Sequence, residues 1–382
     1  MVDDRIVMMS TQGYKSLVSA ENGKGLHWTT DIHAELPVKV SAEGPASVRP
    51  MTVSELFLNT CKQAGSRQSM FVERNGKVLT WGWDQYQREA FAFAKGLQKL
   101  NVKERAAVAI MGFNSPEWAI GFFGSVLYNC VGTGIYSTNA ADACLYQADH
   151  SDAEVILVET NDMLKRFTVN LSKLPKIKAI IVWGEDSLPS DVQDSRFFLW
   201  RDFLKLGQDV NDSVIYEKVS RQKPGECCCL IYTSGTTGNP KGCMLSHDNL
   251  VWEVIPMFQK WAETHPDIMS SGNRVVSYLP LSHIAGLSVD LMAHIFNGHE
   301  LYFARPDALQ GTIVQTLTWA RPSFFFAVPR VWEKFEDKLK EIKDSKHTAM
   351  QDLAAQKRIL SMAKDARKQR LAWRAMDTGM SQ

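Results

Sequence analysis

Short apolar runs alternate with helical patterns between residues 106 and 182. A strand that is buried on both faces reads as an unbroken apolar run, whereas a strand with one wet face alternates in polarity. The alternation therefore predicts an α/β fold, with a mostly parallel sheet that helices cover on both faces. The predicted strands are Ala106–Met111, Val131–Tyr136, Val155–Val158 and Ala179–Val182, and the predicted helices are Pro116–Tyr128, Asp142–His150 and Met163–Ser172.

The rest of the chain is predicted to flank this sheet and to begin a second α/β layer. Asn75-Gly76 between two apolar runs predicts a β-hairpin. Beyond the sheet, strands are predicted at Val275–Leu279, Glu300–Phe303 and Phe324–Val328, and helices at Ser246–Trp261, Leu287–Phe296, Leu309–Trp319 and Val331–Ile342. The predicted regions are a loosely packed extension (1–49), a first α/β subdomain (50–188), a polar irregular linker (189–226), part of a second α/β subdomain (227–342) and a basic helical tail (343–382).

Composition excludes several classes of protein. The 382 residues carry a net charge of +1, which offers no global field for nucleic acid. The cysteines, three of them consecutive at Cys227–Cys229, show no zinc-site spacing and suit a buried strand in a reducing cytosol. No charge occurs between Trp118 and Ala141, but glycines and asparagines interrupt this stretch. A helix followed by a buried strand is therefore expected there, and not a membrane span.

The stretch from Thr233 to Gly242, TSGTTGNPKG, follows an apolar run and predicts a binding loop. Glycines let backbone N–H groups turn inward, hydroxyls donate further hydrogen bonds, and Lys241 supplies a point charge. These features suit a polyphosphate; the alternative is an ordinary turn between strands. The P-loop pattern of NTPases is excluded, because it needs four residues between its glycines and Ser or Thr after the lysine.

These residues resemble the phosphate-loop signature of the adenylate-forming superfamily. Within it, the chain is similar to the bubblegum family of long-chain fatty acyl-CoA synthetases over residues 50–339. The other segments that carry the resemblance are GFNSPEW (112–118), GIYSTN (134–139), SYLPLSHI (277–284) and VPRVWEK (328–334). The resemblance implies a ligase that uses ATP, Mg²⁺ and coenzyme A to convert long-chain fatty acids to acyl-CoA through an acyl-adenylate.

The resemblance also implies roles for particular residues. Lys241 and His283 become the catalytic candidates, with His283 beside the acyl carboxylate, and Thr233 is the candidate ligand of Mg²⁺. The candidate phosphate-binding residues are Thr233, Ser234, Gly235, Thr236, Thr237, Gly238, Asn239, Pro240 and Lys241. Taken alone, a histidine near a strand end is more often a packing or capping residue.

Three further groups of residues keep an ordinary structural interpretation beside a functional one. Asn114-Ser115-Pro116 lies where a strand feeds a helix, and capping explains these residue types better than ligand binding. Trp252, Phe258 and the run Phe324–Phe326 could line an acyl tunnel, but aromatic runs are more often core. The basic tail is expected to be a solvated helix rather than a helix that binds a membrane surface or a partner.

Several motifs of the full-length relatives cannot be placed in this sequence. Full-length relatives continue with a Tyr-Gly-x-Thr/Ser-Glu motif, a ribose-binding aspartate and a mobile C-terminal domain, so a C-terminally truncated, incomplete fold is expected. Two hypotheses follow: the chain is a fragment of an active ligase, or it is a non-catalytic module that binds ATP or a partner. A third possibility is another adenylate-forming ligase, which would use an aryl or amino acid. A cytoplasmic location is expected, with the peripheral contact to endoplasmic reticulum or mitochondrial membranes that the resemblance implies.

Overall fold

The computed structural model describes residues 28–38, 40, 42–43, 47–233 and 239–344. Most of the predicted N-terminal extension and the basic tail beyond residue 344 lie outside the described residues. The strands are β1 (Gln68–Arg74), β2 (Lys77–Gly82), β3 (Ala107–Met111), β4 (Val131–Ile135), β5 (Ala153–Val158), β6 (Ala179–Val182), β7 (Phe197–Leu199), β8 (Cys227–Thr233), β9 (Lys241–Ser246), β10 (Arg274–Ser277) and β11 (Glu300–Phe303).

The α-helices are α1 (Val53–Ala64), α2 (Trp83–Lys99), α3 (Pro116–Leu127), α4 (Ala141–His150), α5 (Asn161–Thr168), α6 (Trp200–Leu206), α7 (Asp212–Arg221), α8 (His247–Ala262), α9 (Ile284–Gly286), α10 (Ala293–Asn297), α11 (Ile313–Ala320) and α12 (Pro329–Asp344). A π-helical turn, Leu287–Met292, joins α9 to α10. We call the continuous helical stretch 284–297 the helical segment.

Seven strands form the first sheet, in the order β7-β6-β5-β3-β4-β8-β9. All neighbours run parallel except β9, which returns antiparallel to β8. Strands β3, β4, β5 and β6 are buried along their whole length, as their unbroken apolar runs predicted. The predicted α/β fold with a mostly parallel sheet is therefore confirmed.

Helices cover both faces of this sheet. On one face, α1, α2 and α3 form a core in which the rings of Phe57 and Phe123 stack at 4.9 Å. Burying a phenylalanine in this way contributes about 1.5–3 kcal/mol of hydrophobic stabilisation. On the other face, α4 and α5 pack Leu145, Leu164 and Phe167 against the sheet. The stretch 118–141 is divided between α3 and β4, as predicted, and no helix among the described residues is long and apolar enough to cross a membrane.

The second sheet contains four strands in the order β10-β11-β1-β2. The predicted hairpin forms at Asn75-Gly76, where both residues adopt positive φ angles of 52° and 73°. Its first strand pairs in parallel with β11, so that Met70 lies opposite Leu301. The expected second α/β layer is thus present, but it recruits the hairpin from the beginning of the chain.

Two predictions of local structure are wrong. The region 189–226 is not irregular, because it contains β7, α6 and α7. Phe203 of α6 is fully buried against α2, where a Cβ on Gly96 would lie 2.7 Å from its ring. No strand forms at Phe324–Val328, where Phe324 and Phe325 instead pack into two different hydrophobic clusters.

Candidate functional site

The phosphate-loop candidate connects β8 to β9 at the carboxyl edge of the parallel strands. Thr233 ends β8 directly opposite Lys241, the first residue of β9, so the intervening loop is closed at both ends. This edge of an α/β sheet is where ligands bind. Thr233, Asn239 and Lys241 are exposed, and Pro240 is half-buried. The remaining candidates, Ser234, Gly235, Thr236, Thr237 and Gly238, lie outside the described residues.

The three consecutive cysteines lead into this loop from the buried part of β8. All three are free thiols and are buried, as their interpretation as small apolar strand residues predicted. Burial raises the pKa of each thiol, and among these groups Cys228 and Cys229 are shifted well above their ordinary value. The cysteines therefore act as packing residues behind the loop.

A second segment, the turn Pro280–His283, reaches the same edge of the sheet. Gly134 of β4 pairs with Ile231 of β8, and a Cβ on Gly134 would lie 2.5 Å from the Cα of Ser282. Only glycine allows this approach, because the obstacle is backbone and cannot rotate away. The turn that ends in His283 thus packs directly on the strand next to β8.

His283 begins the helical segment and caps it. Its Nδ1 accepts a hydrogen bond from the backbone N–H of Ala285 at 3.1 Å, and its carbonyl accepts from Leu287 N–H at 3.0 Å. Because Nδ1 is an acceptor here, the proton of the neutral ring lies on Nε2. The side chain is exposed at the sheet edge. The capping interpretation is therefore correct, and the capping bond fixes the orientation of the ring.

Asn114 ties this turn to the first sheet. Its Nδ2 donates to the carbonyl of Leu279 at 2.7 Å and to Ser277 Oγ at 2.9 Å, while its Oδ1 accepts from Leu281 N–H at 3.1 Å. The helix cap predicted for this motif is provided by Ser115, whose side chain accepts from Trp118 N–H. Sequence reasoning missed the contacts of Asn114, because their partners lie more than 160 residues away.

Charged groups also gather near this edge. Arg74 of β1 makes two hydrogen bonds, at 2.8 and 2.6 Å, to the buried carboxylate of Glu117 at the start of α3. Glu159 follows β5, and its Oε2 accepts from Phe113 N–H at 2.7 Å. Burial raises the pKa of Glu159, which this N–H and the Arg74 guanidinium partly oppose. These contacts join the two sheets beside the site.

His247 lies at the start of α8 and takes part in a structural contact. Ser246 and Asn249 form the capping box of this helix, and the fully buried His247 ring accepts a hydrogen bond from Val53 N–H at 3.1 Å. Burial lowers the pKa of His247 to about 3. The prediction that His247 is a helix-start residue is confirmed.

A cavity of about 980 Å³ is lined in part by Lys241. It lies beside β9, and its lining includes Pro240, Lys241, Tyr232 and His150, whose Nδ1 is 2.9 Å from the Tyr232 hydroxyl. His283 is not among the residues that line it. We therefore place the candidate site at the sheet edge, where β8 ends next to the strand on which the His283 turn packs, and not in this cavity.

The aromatic candidates for an acyl tunnel are dispersed. Phe258 is fully buried and contacts Phe296 and Phe324 in the core, while Trp252 is 41% exposed on α8. Phe325 packs with Tyr278 and Trp332 in a separate cluster. The packing agrees with the core interpretation for Phe258, and the tunnel stays a prediction.

Comparison with known proteins identifies the family. The family model described as "AMP-binding enzyme" matches residues 59–379 of this chain. The chain belongs to the AMP-binding enzyme family. The resemblance drawn from the motifs is thereby confirmed.

Relatives within this family are named long-chain fatty acid ligases. The chain is 37% identical to long-chain-fatty-acid–CoA ligase ACSBG2 of Gallus gallus over 354 residues, which are 92% of this chain and 46% of that protein. It is also 37% identical to long-chain-fatty-acid–CoA ligase ACSBG1 of Mus musculus, over 82% of this chain and 43% of that protein. The chain thus spans about half the length of the curated relatives it matches.

Solved structures show the same fold at lower identity. The anthranilate CoA ligase AuaEII, in complex with anthranoyl-AMP, superposes with a TM-score of 0.62 at 18% identity, covering 76% of this chain and 52% of that one. The fatty acyl-adenylate ligase from L. pneumophila, in complex with acyl adenylate and pyrophosphate, gives 0.54 at 19% identity, covering 72% and 44%. These similarities confirm the fold of this family.

Proposed function

We propose that this chain forms the ATP-binding part of a ligase that activates long-chain fatty acids. ATP and the acid would form an acyl-adenylate, from which the acyl group passes to coenzyme A. Family membership and the names of the relatives support the proposal. The observation that carries it is the pairing of Thr233 with Lys241 at the sheet edge, one strand away from the contact between Gly134 and the turn that bears His283.

The chemistry requires an anionic carboxylate to approach the anionic α-phosphate. Preorganised donors and a positive charge lower the barrier to such a step, because they neutralise charge before the reaction begins. The exposed Lys241 ammonium, held at the first position of β9, would bind phosphate oxygens and pyrophosphate as it leaves. Thr233 and Asn239 would add donors at the two ends of the loop.

The described residues fit magnesium only as a partner of phosphate. Thr233 is exposed at the end of β8, and within the described part of the chain no group of three or more His, Cys, Asp or Glu is placed to hold a metal ion. Mg²⁺ commonly has one or two protein ligands and completes its shell with phosphate oxygens and water. Thr233 would hold it, and the ion would neutralise phosphate charge.

His283 would orient the acid. Its Nδ1 is engaged by Ala285 N–H, so the Nε2–H is the donor that the ring can offer to a carboxylate oxygen. A neutral donor suits this role, because it fixes the carboxylate without removing the negative charge needed for attack. Lys241 on the phosphates and His283 on the acid would then bring both reactants together.

ATP binding tests the phosphate role. We expect MgATP, titrated into the 382-residue chain by calorimetry, to bind, and Lys241→Ala to weaken binding at least tenfold, because a charge-assisted phosphate contact is lost. Lys260→Ala, an exposed lysine on α8 that pairs with Glu263, is the control and should leave the affinity unchanged. Equal affinities for wild type and Lys241→Ala would remove the phosphate role.

Binding without turnover is the second candidate function. It would need only the phosphate donors at the two ends of the loop, and Thr233 and Lys241 are both exposed there. Pyrophosphate release with ATP, Mg²⁺ and palmitate separates the two functions: background release with intact ATP binding identifies a binding module, and sustained release a ligase. Profiling fatty, aryl and amino acids in the same assay decides the acid class. We also propose peripheral membrane association in the cytoplasm, which co-sedimentation with liposomes would test.

A further inference from the structure

The Asn114 side chain is a clamp between the two sheets at the candidate site. It belongs to the connection after β3 in the first sheet, and it binds three groups around the end of β10 in the second. Both ends of its amide are used: Nδ2 donates twice and Oδ1 accepts once. Asparagine is suited to this position, since aspartate cannot donate and alanine can do neither.

The clamp extends through Ser277 into the helical segment. Ser277 Oγ accepts from Asn114 and donates to Asp290 Oδ2 at 2.8 Å. Asp290 is 3% exposed and lies on the π-helical turn, an irregularity that is often found at functional sites. The hydrogen-bond network therefore holds the chain on both sides of His283: at Ser277–Leu281 before it, and at Asp290 after it.

Hydrogen bonds within the turn connect this network to the ring of His283. The backbone N–H of His283 donates to Pro280 O at 2.9 Å, and its Nδ1 is held by Ala285 N–H. A Cβ on Gly286 would lie 2.4 Å from Pro280 O, so the turn and the start of the helical segment are in close contact. A displacement of Leu279–Leu281 would therefore displace His283 as well.

We propose that Asn114 is a positioning residue: it fixes the Pro280–His283 turn against the carboxyl edge of the first sheet, and so sets where His283 meets the acyl group. The inference rests on the proposed function. In this role Asn114 acts through His283, with Ser277 and Asp290 as supporting residues, and needs no contact with the nucleotide.

Separate binding measurements test the proposal. The probes are MgATP and a palmitoyl sulfamoyl adenosine, a stable mimic of the acyl-adenylate. We expect Asn114→Ala to weaken binding of the mimic at least tenfold while changing the affinity for MgATP less than twofold. Asn114→Asp, which can accept from Leu281 N–H but cannot donate, should bind the mimic as poorly as Asn114→Ala does. Ser115→Ala is the matched control, because it removes only the cap of α3 and should leave both affinities unchanged.

A double-mutant cycle tests whether Asn114 acts through His283. If it does, His283→Ala should weaken binding of the mimic to a similar extent. In the His283→Ala background, Asn114→Ala should then weaken binding by less than a further twofold. Independent, multiplying effects would overturn the proposal, and so would an unchanged affinity in Asn114→Ala.

Hydrogen exchange at the Leu281 amide provides a readout that needs no ligand. This N–H donates to Asn114 Oδ1, so Asn114→Ala should speed its exchange at least tenfold, whereas Ser115→Ala should not. Unchanged exchange would overturn the clamp. If neither probe bound wild type, the proposed function would fail; if MgATP bound and the mimic did not, only the inference about the acyl site would fail.

Discussion

The stretch from Asp290 to His299 carries buried polar groups at both ends, and the two ends differ in how these groups are satisfied. Towards its beginning, Asp290 accepts from Ser277, which accepts from Asn114. Towards its end, His294 Nε2 lies 3.0 Å from Ser69 Oγ, but within the described structure its Nδ1 has no hydrogen-bond partner, and neither has either ring nitrogen of His299. One end is a closed network, and the other depends on packing.

Burial shifts the pKa values at the two ends in opposite directions. It raises the pKa of Asp290, which the hydrogen bond from Ser277 partly opposes, and it lowers the pKa of His294 well below its ordinary range and that of His299 to about 3. The neutral form is favoured in both cases. Acid should therefore disrupt the histidine end, whereas the aspartate end should lose stability as pH rises above the ordinary aspartate pKa.

The largest expected effect is loss of stability in acid. Since the pKa of His299 is lowered on folding, protonation favours the unfolded chain, and its stabilising contribution is lost as pH falls below about 6.5. Between pH 7.5 and 5 this histidine alone should cost about 2 kcal/mol of unfolding free energy. His294 and His247 should add in the same direction. Urea unfolding at the two pH values measures the loss.

His299→Leu is the matched variant for this prediction. It removes both unpartnered ring nitrogens and should reduce the difference between pH 7.5 and 5 by about 2 kcal/mol. A wild-type chain that is equally stable at both pH values would contradict the contrast between the two ends.

The next effect concerns the packing of the Pro280–His283 turn on β4, which precedes the aspartate end. Gly134→Ala would push a Cβ against the backbone of Ser282 and should cost about 1–3 kcal/mol, the usual range for overpacking. Gly272→Ala is the control, because its Cβ would meet nothing closer than Ser270 Oγ at 3.7 Å. Thermal unfolding of both variants measures the difference. Equal stabilities would show that the turn does not rest on β4 as described.

A last effect is expected as pH rises above the ordinary aspartate pKa. Because folding raises the pKa of Asp290, its neutral form stabilises the chain below the ordinary aspartate pKa, and this contribution is lost as pH rises through the folded value. Asp290→Asn keeps an acceptor for Ser277 and should flatten this decline. Asp191→Asn, an exposed carboxylate, should leave the slope unchanged. Unfolding free energies from pH 4 to 9 measure the slopes; a parallel decline in Asp290→Asn would count against the assignment.

Local patterns in the sequence predicted local structure well. The continuous apolar runs identified β3 to β6, and Ser115-Pro116 marked the beginning of α3. Patterns failed where tertiary contacts override them. Helix α6 has only seven residues, and burial of Phe203 on α2 holds it in place. The run Phe324–Val328 is apolar because Phe324 and Phe325 pack into two different cores, not because it forms a strand.

The candidate site was predictable only in part. The glycine, hydroxyl and lysine pattern indicated the loop, and its ends do meet at the edge of the sheet. The role of Asn114 was not predictable, because capping explains the same residue types and a hydrogen bond to Leu279 leaves no trace in local spacing. Gly134 carried a weak indication, since glycine inside a strand often marks a close backbone approach.

The pairing of β1 with β11 has a consequence for biosynthesis. Met70 emerges from the ribosome 231 residues before its partner Leu301. At about 5–20 residues per second, the hairpin waits roughly 10–50 s for the strand that completes its sheet. Meanwhile Val78 and Leu79, which remain exposed even after folding, face solvent beside an unpaired edge. Nascent chains should therefore depend on chaperones most strongly in that interval, and slow translation before codon 301 should lower the yield of soluble protein.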